Sequence, residues 1–356
     1  HDDAGGGEGD GAEILHDGHP FSRSKVVLLP AECKGFAANV ALHGAAKLGT
    51  CSGMKSIRSH HPARLRRSVL SVPAVNVRAL EKAHGLSCDA VIFDLEDSVA
   101  LDKKAEAREN LRRFFAETPL QGREAIIRIN GLDTEFFLDD MAAVIACRPD
   151  AVLLPKVDGP DDVQRVADLL SESDATESLR IWAMIETPRG VLNAAAIAGS
   201  GRTAGGLLDC FVVGLNDLRK ETGVAPDPAR TYVVPFLMQV ILAARAYGLD
   251  AIDSVSNEFR MLEAFEAECA QGRAMGFDGK MLIHPAQIDG ANRHFAPSAE
   301  ALAEARAIAE AFADPATASL NVINLEGRMV ERLHLEQAER LLAKAQAIAE
   351  REGTNP

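Results

Sequence analysis

The chain has 356 residues, 47% hydrophobic and 25% charged, which is globular composition and excludes a disordered or fibrous protein. A net charge of −14 with only 5% aromatics argues against general affinity for nucleic acid or an anionic membrane, and no apolar run is long enough to span a bilayer. The six cysteines (Cys33, Cys51, Cys88, Cys147, Cys210 and Cys269) form no CxxC pair, so neither a zinc knuckle nor a redox dithiol is expected, and a reducing cytoplasm is the expected compartment.

Residues 1–60 begin on the Gly/Asp-rich run HDDAGGGEGDGAE and show no clean periodicity. They are expected to form a loosely ordered extension, with Met54 as initiator and residues 1–53 dispensable. From Arg67 the pattern changes. Short apolar runs alternate with amphipathic stretches: strand Ser68–Val72, helix Val77–His84, strand Ala90–Leu95, helix Lys103–Phe115, strand Ala125–Ile129, helix Glu135–Ala146, strand Ala151–Leu154, helix Pro160–Leu170. The second half continues with strand Ile181–Ile185, helix Gly190–Ala198, strand Cys210–Gly214, helix Thr231–Tyr247, strand Asp250–Asp253, helix Glu258–Met275 and strand Lys280–Ile283. Apolar runs bounded by turn residues and separated by helices predict parallel strands, and eight such units over about 230 residues predict a (β/α)8 TIM barrel spanning residues 61–295. A doubly wound open sheet is the rival, but it usually places glycines after its first strand, where this chain reads SVPAVN. Residues 296–356 are predicted as a helical extension, Pro297–Phe312 and Glu331–Arg351 joined by a loop. Leu335, Ala338, Leu341, Leu342, Ala345 and Ile348 share one face of the last helix, which requires a partner surface.

Barrel enzymes carry their chemistry at the carboxyl ends of the strands. There this chain presents Asp94, Glu96 and Asp97, then Arg128, Lys156, Glu186, Asp217, Asp253 and His284. Glu186 and Asp217, on successive strand ends without a nearby His or Cys, suit a hard, oxygen-seeking cation such as Mg²⁺. The competing reading pairs Glu186 with Arg189 and makes Asp217 a helix cap. Arg128 and Lys156 add positive charge on the same rim. Arg128 suits capture of a carboxylate or carbonyl oxygen, whereas Lys156 could instead form a Schiff base. The stretch Lys55–Lys82 carries seven Lys/Arg against one acid, Glu81, and could hold a polyanionic cofactor tail or be a solvated basic segment.

The segments RRSVLSVPAVNVRALEKA, AVIFDLEDSVALDKKAEAR, IIRING, VLLPKV, MIETPRGVLNA, VVGLNDLR, AIDSV and GFDGKMLIHPAQI occur in that order. From Arg67 to Ala347 the chain resembles the citrate lyase β-subunit/malyl-CoA lyase family, CoA-ester lyases of the phosphoenolpyruvate–pyruvate barrel superfamily. The resemblance implies Mg²⁺ held by Glu186 and Asp217, and Arg128 at the thioester end of the substrate. It implies Arg78 and Lys82 at the CoA phosphates and Ile252 and Asp253 near the CoA tail. Glu331, in GRMVE, falls where the family has an acid that exchanges a proton with the acetyl methyl. The chain departs from the family pattern at Ser71 (an aromatic in the family), at Val72-Pro73-Ala74 (for VPG) and at Glu331 (for Asp). The implied activity is cleavage of a malyl-, β-methylmalyl- or citramalyl-CoA to an acyl-CoA and a 2-oxo acid by a homotrimer or homohexamer. The alternatives are malyl-CoA thioesterase or malate synthase activity, or a non-catalytic CoA-ester-binding subunit.

Overall fold

Eight parallel strands close on themselves in sequence order: β1 (Ser68–Pro73), β2 (Ala90–Asp94), β3 (Glu124–Arg128), β4 (Ala151–Leu154), β5 (Arg180–Ile185), β6 (Leu208–Val213), β7 (Asp250–Asp253) and β8 (Gly279–Leu282). β8 pairs back onto β1, so the sheet is a barrel and the open-sheet rival falls. The computed structural model describes residues 64–173, 179–203 and 205–353. The N-terminal extension and Met54 lie outside the described residues.

The helices on the outside are α1 (Val77–Ala83), α2 (Lys104–Glu117), α3 (Phe137–Cys147), α4 (Pro160–Glu172), α5 (Pro188–Ser200), α6 (Leu215–Thr222), α7 (Val234–Tyr247), α8 (Leu262–Met275) and α9 (Ile288–Phe295). Their ends follow local chemistry. Thr187 caps α5 by accepting the Gly190 N–H at 2.9 Å, and Pro188 opens its first turn. Gly248 and Gly276 end α7 and α8 in the left-handed conformation.

Alternation along each strand sorts its residues into two layers. Val69, Ile92, Ile126, Leu153, Trp182, Met184, Val212, Ile252 and Met281 fill the barrel interior. Leu70, Val91, Phe93, Ile127 and Val152 face the helices in a separate cluster. The base of the barrel is plugged by Arg66, which lies 4.7 Å from the Trp182 ring and hydrogen bonds to Glu124, Asp209 and Asp250.

The tail differs from its predicted form. Between α10 (Ala299–Ala313) and α11 (Arg332–Glu352) lies an antiparallel hairpin, β9 (Val322–Leu325) and β10 (Arg328–Glu331), where a loop was expected. Its two-residue turn, Glu326-Gly327, has both residues at positive φ, the geometry that matches strand twist. Ala305, Ile308, Phe312, Ile323, Val330 and Ala338 form a small core for this unit. The far end of α11 is tied to the barrel base, where Arg351 pairs with Asp89 at 3.2 Å and Glu352 with Arg67 at 3.1 Å.

Candidate active site at the carboxyl end of the barrel

The layer rule also decides which rim residues look inward. Asp94, Arg128 and Glu186 continue the inward series of β2, β3 and β5 by one step past Ile92, Ile126 and Met184. Register sets Asp94 directly beside Arg128. The guanidinium donates Nε to Asp94 Oδ1 at 2.6 Å and Nη2 to Asp94 Oδ2 at 2.7 Å. Its remaining nitrogen, Nη1, lies 3.0 Å from Glu96 Oε2. Asp94 also accepts the N–H groups of Glu96 and Ser98 and the Ser98 hydroxyl. Burial pushes the Asp94 carboxyl up, but the Arg128 charge and these hydrogen bonds outweigh it and hold it below the usual carboxylate range.

The loop after β2 is fastened from behind. Lys104, itself buried, donates to the carbonyls of Leu95 and Glu96 at 2.7 Å each, and Asn130 donates to the same Leu95 carbonyl. Burial lowers the Lys104 ammonium below its ordinary value.

Glu186 is 2% exposed and accepts the Lys156 backbone N–H on Oε1 at 2.9 Å. Its other oxygen lies against Gly214, where a Cβ would sit 2.3 Å from Glu186 Oε2; only glycine leaves that oxygen room. Burial first, then the charges of Glu96 and Asp217, push the Glu186 carboxyl up to about 8. Asp217 stands in the first turn of α6. Next to it, Asn216 exchanges side-chain amide hydrogen bonds with Asn257 of the loop after β7, at 2.9 and 3.2 Å.

Asp94, Arg128, Glu186, Asn216, Asp217 and Asn257 line one cavity of about 300 Å³. Asp94, Asp97, Arg128, Glu186 and Asp217 form its polar side, and Met184, Val213, Val255, Met281 and Ile283 its apolar side. A larger cleft, about 910 Å³, opens at the opposite end of the barrel beside α11. The arginines there are already spent: Arg67 on Asp89 and Glu352, Arg123 on the carbonyls closing α1, Arg351 on Asp89 and Cys88. The smaller cavity is the one with unspent chemistry.

Both cations of the rim are paired with acids other than the candidate metal ligands, Arg128 with Asp94 and Lys156 with Glu96 at 2.6 Å. Among the described residues neither Glu186 nor Asp217 carries an ion pair. Arg189 reaches Asp158 instead of Glu186. Two convergent, uncompensated carboxylates with an unspent oxygen at Glu186 fit Mg²⁺, which takes one or two carboxylates and leaves its other positions to water and substrate. Among the described residues no group of three or more His, Cys, Asp or Glu forms the cage that a softer or larger ion prefers. Lys156 does not fit a Schiff base, which needs a neutral amine, because hydrogen bonding and charge from Glu96 outweigh its burial and raise its pKa.

The other predicted residues are placed differently. Arg78 and Lys82 are exposed one turn apart on α1 and do not line the cavity. Ile252 lies in the inner core. The Asp253 side chain faces the helix layer, fully buried between Arg230 at 2.8 Å and Lys280 at 3.1 Å. Neither side chain meets the cavity. Glu331 ends β10, exposed, with its N–H donating to His334 Nδ1 at 2.9 Å, and it lies outside the cavity of its own chain.

A closed parallel barrel with its ionisable residues gathered at the carboxyl end is the architecture of a barrel enzyme. The chain belongs to the HpcH/HpaI aldolase/citrate lyase family, whose model matches residues 67–285. It is 45% identical over 289 residues to a (3S)-malyl-CoA thioesterase of Cereibacter sphaeroides, a match covering 81% of this chain and 98% of that one. It is 30% identical over 306 residues to human mitochondrial citramalyl-CoA lyase, covering 83% and 90%. Among solved structures it resembles the CitE protein of Mycobacterium tuberculosis in complex with magnesium, acetoacetate and coenzyme A, with a TM-score of 0.61, 30% identity and coverage of 78% and 97%. Among the described residues no helix is long and apolar enough to cross a membrane.

Proposed function

We propose that the protein is a Mg²⁺-dependent enzyme of malyl-CoA-type esters, 3-hydroxy-dicarboxylic acids in thioester linkage to CoA, and that its net reaction is hydrolysis to the free acid and CoA. The observation that carries this reading is Arg128 lining the same small cavity as the uncompensated Glu186–Asp217 pair. Mg²⁺ held by Glu186 and Asp217 would supply Lewis-acid stabilisation of substrate oxygens. Arg128, anchored through Nε and Nη2, offers Nη1 to the thioester oxygen. That oxygen gains negative charge in either cleavage, as a tetrahedral oxyanion in hydrolysis or as an enolate in carbon–carbon scission, and a preorganised donor favours both. The apolar side of the cavity receives the carbon skeleton.

Likeness to the malyl-CoA thioesterase over nearly its whole length supports hydrolysis. Likeness to citramalyl-CoA lyase keeps carbon–carbon cleavage as the second reading. Pure protein with malyl-CoA and Mg²⁺ separates them. Malate with free CoA supports hydrolysis, and glyoxylate with acetyl-CoA supports the lyase. Binding of the ester without turnover of it or its methylated relatives would leave a non-catalytic subunit. The cytoplasm is our proposed compartment, supported by the free, buried thiols of Cys88, Cys147, Cys210 and Cys269.

For CoA recognition we retain Arg78 and Lys82, exposed and one turn apart on α1, as phosphate contacts, with Ile252 and Asp253 limited to backbone contact with the tail. Arg78→Ala with Lys82→Ala should raise KM for the ester about tenfold and leave kcat within about twofold, because a remote tail binds ground and transition states alike. A fall in kcat at unchanged KM overturns the placement.

Glu331 is proposed as an acid–base group in a neighbouring subunit's cavity, within a homotrimer or homohexamer: in hydrolysis it takes the proton of the attacking water, and in the carbon–carbon cleavage reading it moves the proton at the acyl carbon. Glu331→Gln and Glu186→Gln subunits should each be inactive alone. When mixed, they should recover up to about a quarter of wild-type turnover, since a random ring pairs an intact barrel with an intact tail at that frequency. No recovery in proven mixed oligomers removes Glu331 from the site.

A further inference from the structure

Lys156 follows β4 with φ at 51°, in the left-handed region that a residue with a side chain seldom occupies. Glycine would take this conformation without strain, yet the position carries a lysine. Strain kept at a functional rim calls for a use of both parts of the residue. Both parts are engaged. The backbone N–H donates to Glu186 Oε1 at 2.9 Å, and Nζ donates to Glu96 Oε1 at 2.6 Å. The other Glu96 oxygen lies 3.0 Å from Arg128 Nη1.

We infer that Lys156 is a positioning residue that keeps Arg128 available to the substrate, acting through Glu96. This rests on the proposed function. Arg128 spends Nε and Nη2 on Asp94, so Nη1 is its donor toward the cavity. Glu96 is buried, and its Oε2 lies 3.0 Å from that donor without accepting a hydrogen bond from it, an unsatisfied acceptor within reach of Nη1. With the ammonium in place, Glu96 has its own cation and a strong hydrogen bond on the opposite oxygen, and it draws Nη1 by charge alone. Without the ammonium, Arg128 is the one cation still ion-paired with the Glu96 carboxylate among the described residues, and Nη1 turns from the substrate oxygen to Glu96. The backbone half of Lys156 is separate: it holds Glu186 Oε1 and leaves the oxygen facing Gly214 for the metal. A side-chain substitution therefore removes one function and keeps the other.

Three variants test this, read by kcat, by calorimetric titration with Mn²⁺ and by thermal melting. Lys156→Met should lower kcat about 10- to 100-fold, the usual cost of losing a supporting contact around a site, with the Mn²⁺ Kd within about twofold of wild type. Lys156→Arg should recover most of the rate, because the cation is restored. Lys156→Gly, which loses the same ammonium but sheds the left-handed strain, should melt no lower than Lys156→Met and still be as slow. Wild-type kcat in either the Met or the Gly variant overturns the inference. So does a loss of Mn²⁺ affinity equal to the loss of rate, which would put the effect on Glu186 rather than on Arg128. A wild-type protein that neither binds Mn²⁺ nor turns over malyl-CoA overturns the proposed function itself, and the inference falls with it.

Discussion

Glu186→Gln and Asp217→Asn should each lower metal-dependent kcat/KM by about a thousandfold or more, since a bound divalent ion is worth several kcal/mol of charge stabilisation and each such factor is about 4 kcal/mol. Neither change should unfold the barrel. In Glu186→Gln the amide oxygen of the introduced side chain can still accept the Lys156 N–H, and the cavity keeps its shape. In the metal-free protein, removing the charge of Glu186 relieves a buried carboxyl that its surroundings already push up to about 8. The sign follows from linkage. A carboxyl raised in the folded state costs stability as pH rises above its unfolded value, and the cost is complete above its folded value. Near neutral pH, Glu186→Gln should therefore melt no lower than wild type when metal is absent. Adding Mn²⁺ should raise the wild-type melting temperature and leave both variants unmoved. A Glu186→Gln or Asp217→Asn protein with wild-type activity, or one still stabilised by Mn²⁺, removes that residue from the metal site.

The barrel was legible in the sequence because parallel strands covered on both faces are nearly continuous apolar runs. AVIFD, AVLL and LDCFVV stand out from the amphipathic stretches around them. The rim was legible for a related reason: a polar residue at or just past the end of such a run is at the carboxyl end of the barrel, as Arg128, Glu186 and Asp217 are. Register and parity were not legible. Nothing in the order Ile252-Asp253 says which of the two looks inward, and the structure gives the interior to Ile252 and buries Asp253 against Arg230 and Lys280. The Asp94–Arg128 fork depends on the pairing of β2 with β3. Lys156 gave no signal of its left-handed backbone, because lysine is not the residue that conformation favours. Helices α6 and α9 were not legible for want of a pattern rather than of length, since α1 is no longer and was predicted; two of the four buried residues of α9 are Gly290 and Ala291, which carry little apolar signal. In α6 only Leu215 and Leu218 are buried, too few for a period. The hairpin of the tail was missed because its strands are four residues long and largely exposed, so burial leaves little alternation to read.

Arg128→Lys should cost about 10²- to 10³-fold in kcat, the usual loss when one preorganised donor to a developing oxyanion is removed, while the Mn²⁺ Kd stays within about twofold. Lysine keeps the positive charge, so Asp94 and Glu96 retain a counter-ion. It cannot reproduce the fork. One ammonium pairs with Asp94 or reaches into the cavity, whereas the guanidinium does both at once, through Nε and Nη2 on one side and Nη1 on the other. Arg128→Met is the harsher change, and its failure would have a different cause. Asp94 is 0% exposed, and stripping its partner leaves a buried charge uncompensated, at a cost of about 3–5 kcal/mol that falls on folding and not on catalysis. The lysine variant separates the two roles because it preserves the compensation and removes the geometry. If it melts like wild type and is slow, Arg128 acts on the substrate. If it melts like wild type and turns over at the wild-type rate, Arg128 serves only to neutralise Asp94, and the oxygen that gains charge must find its donor elsewhere on the rim.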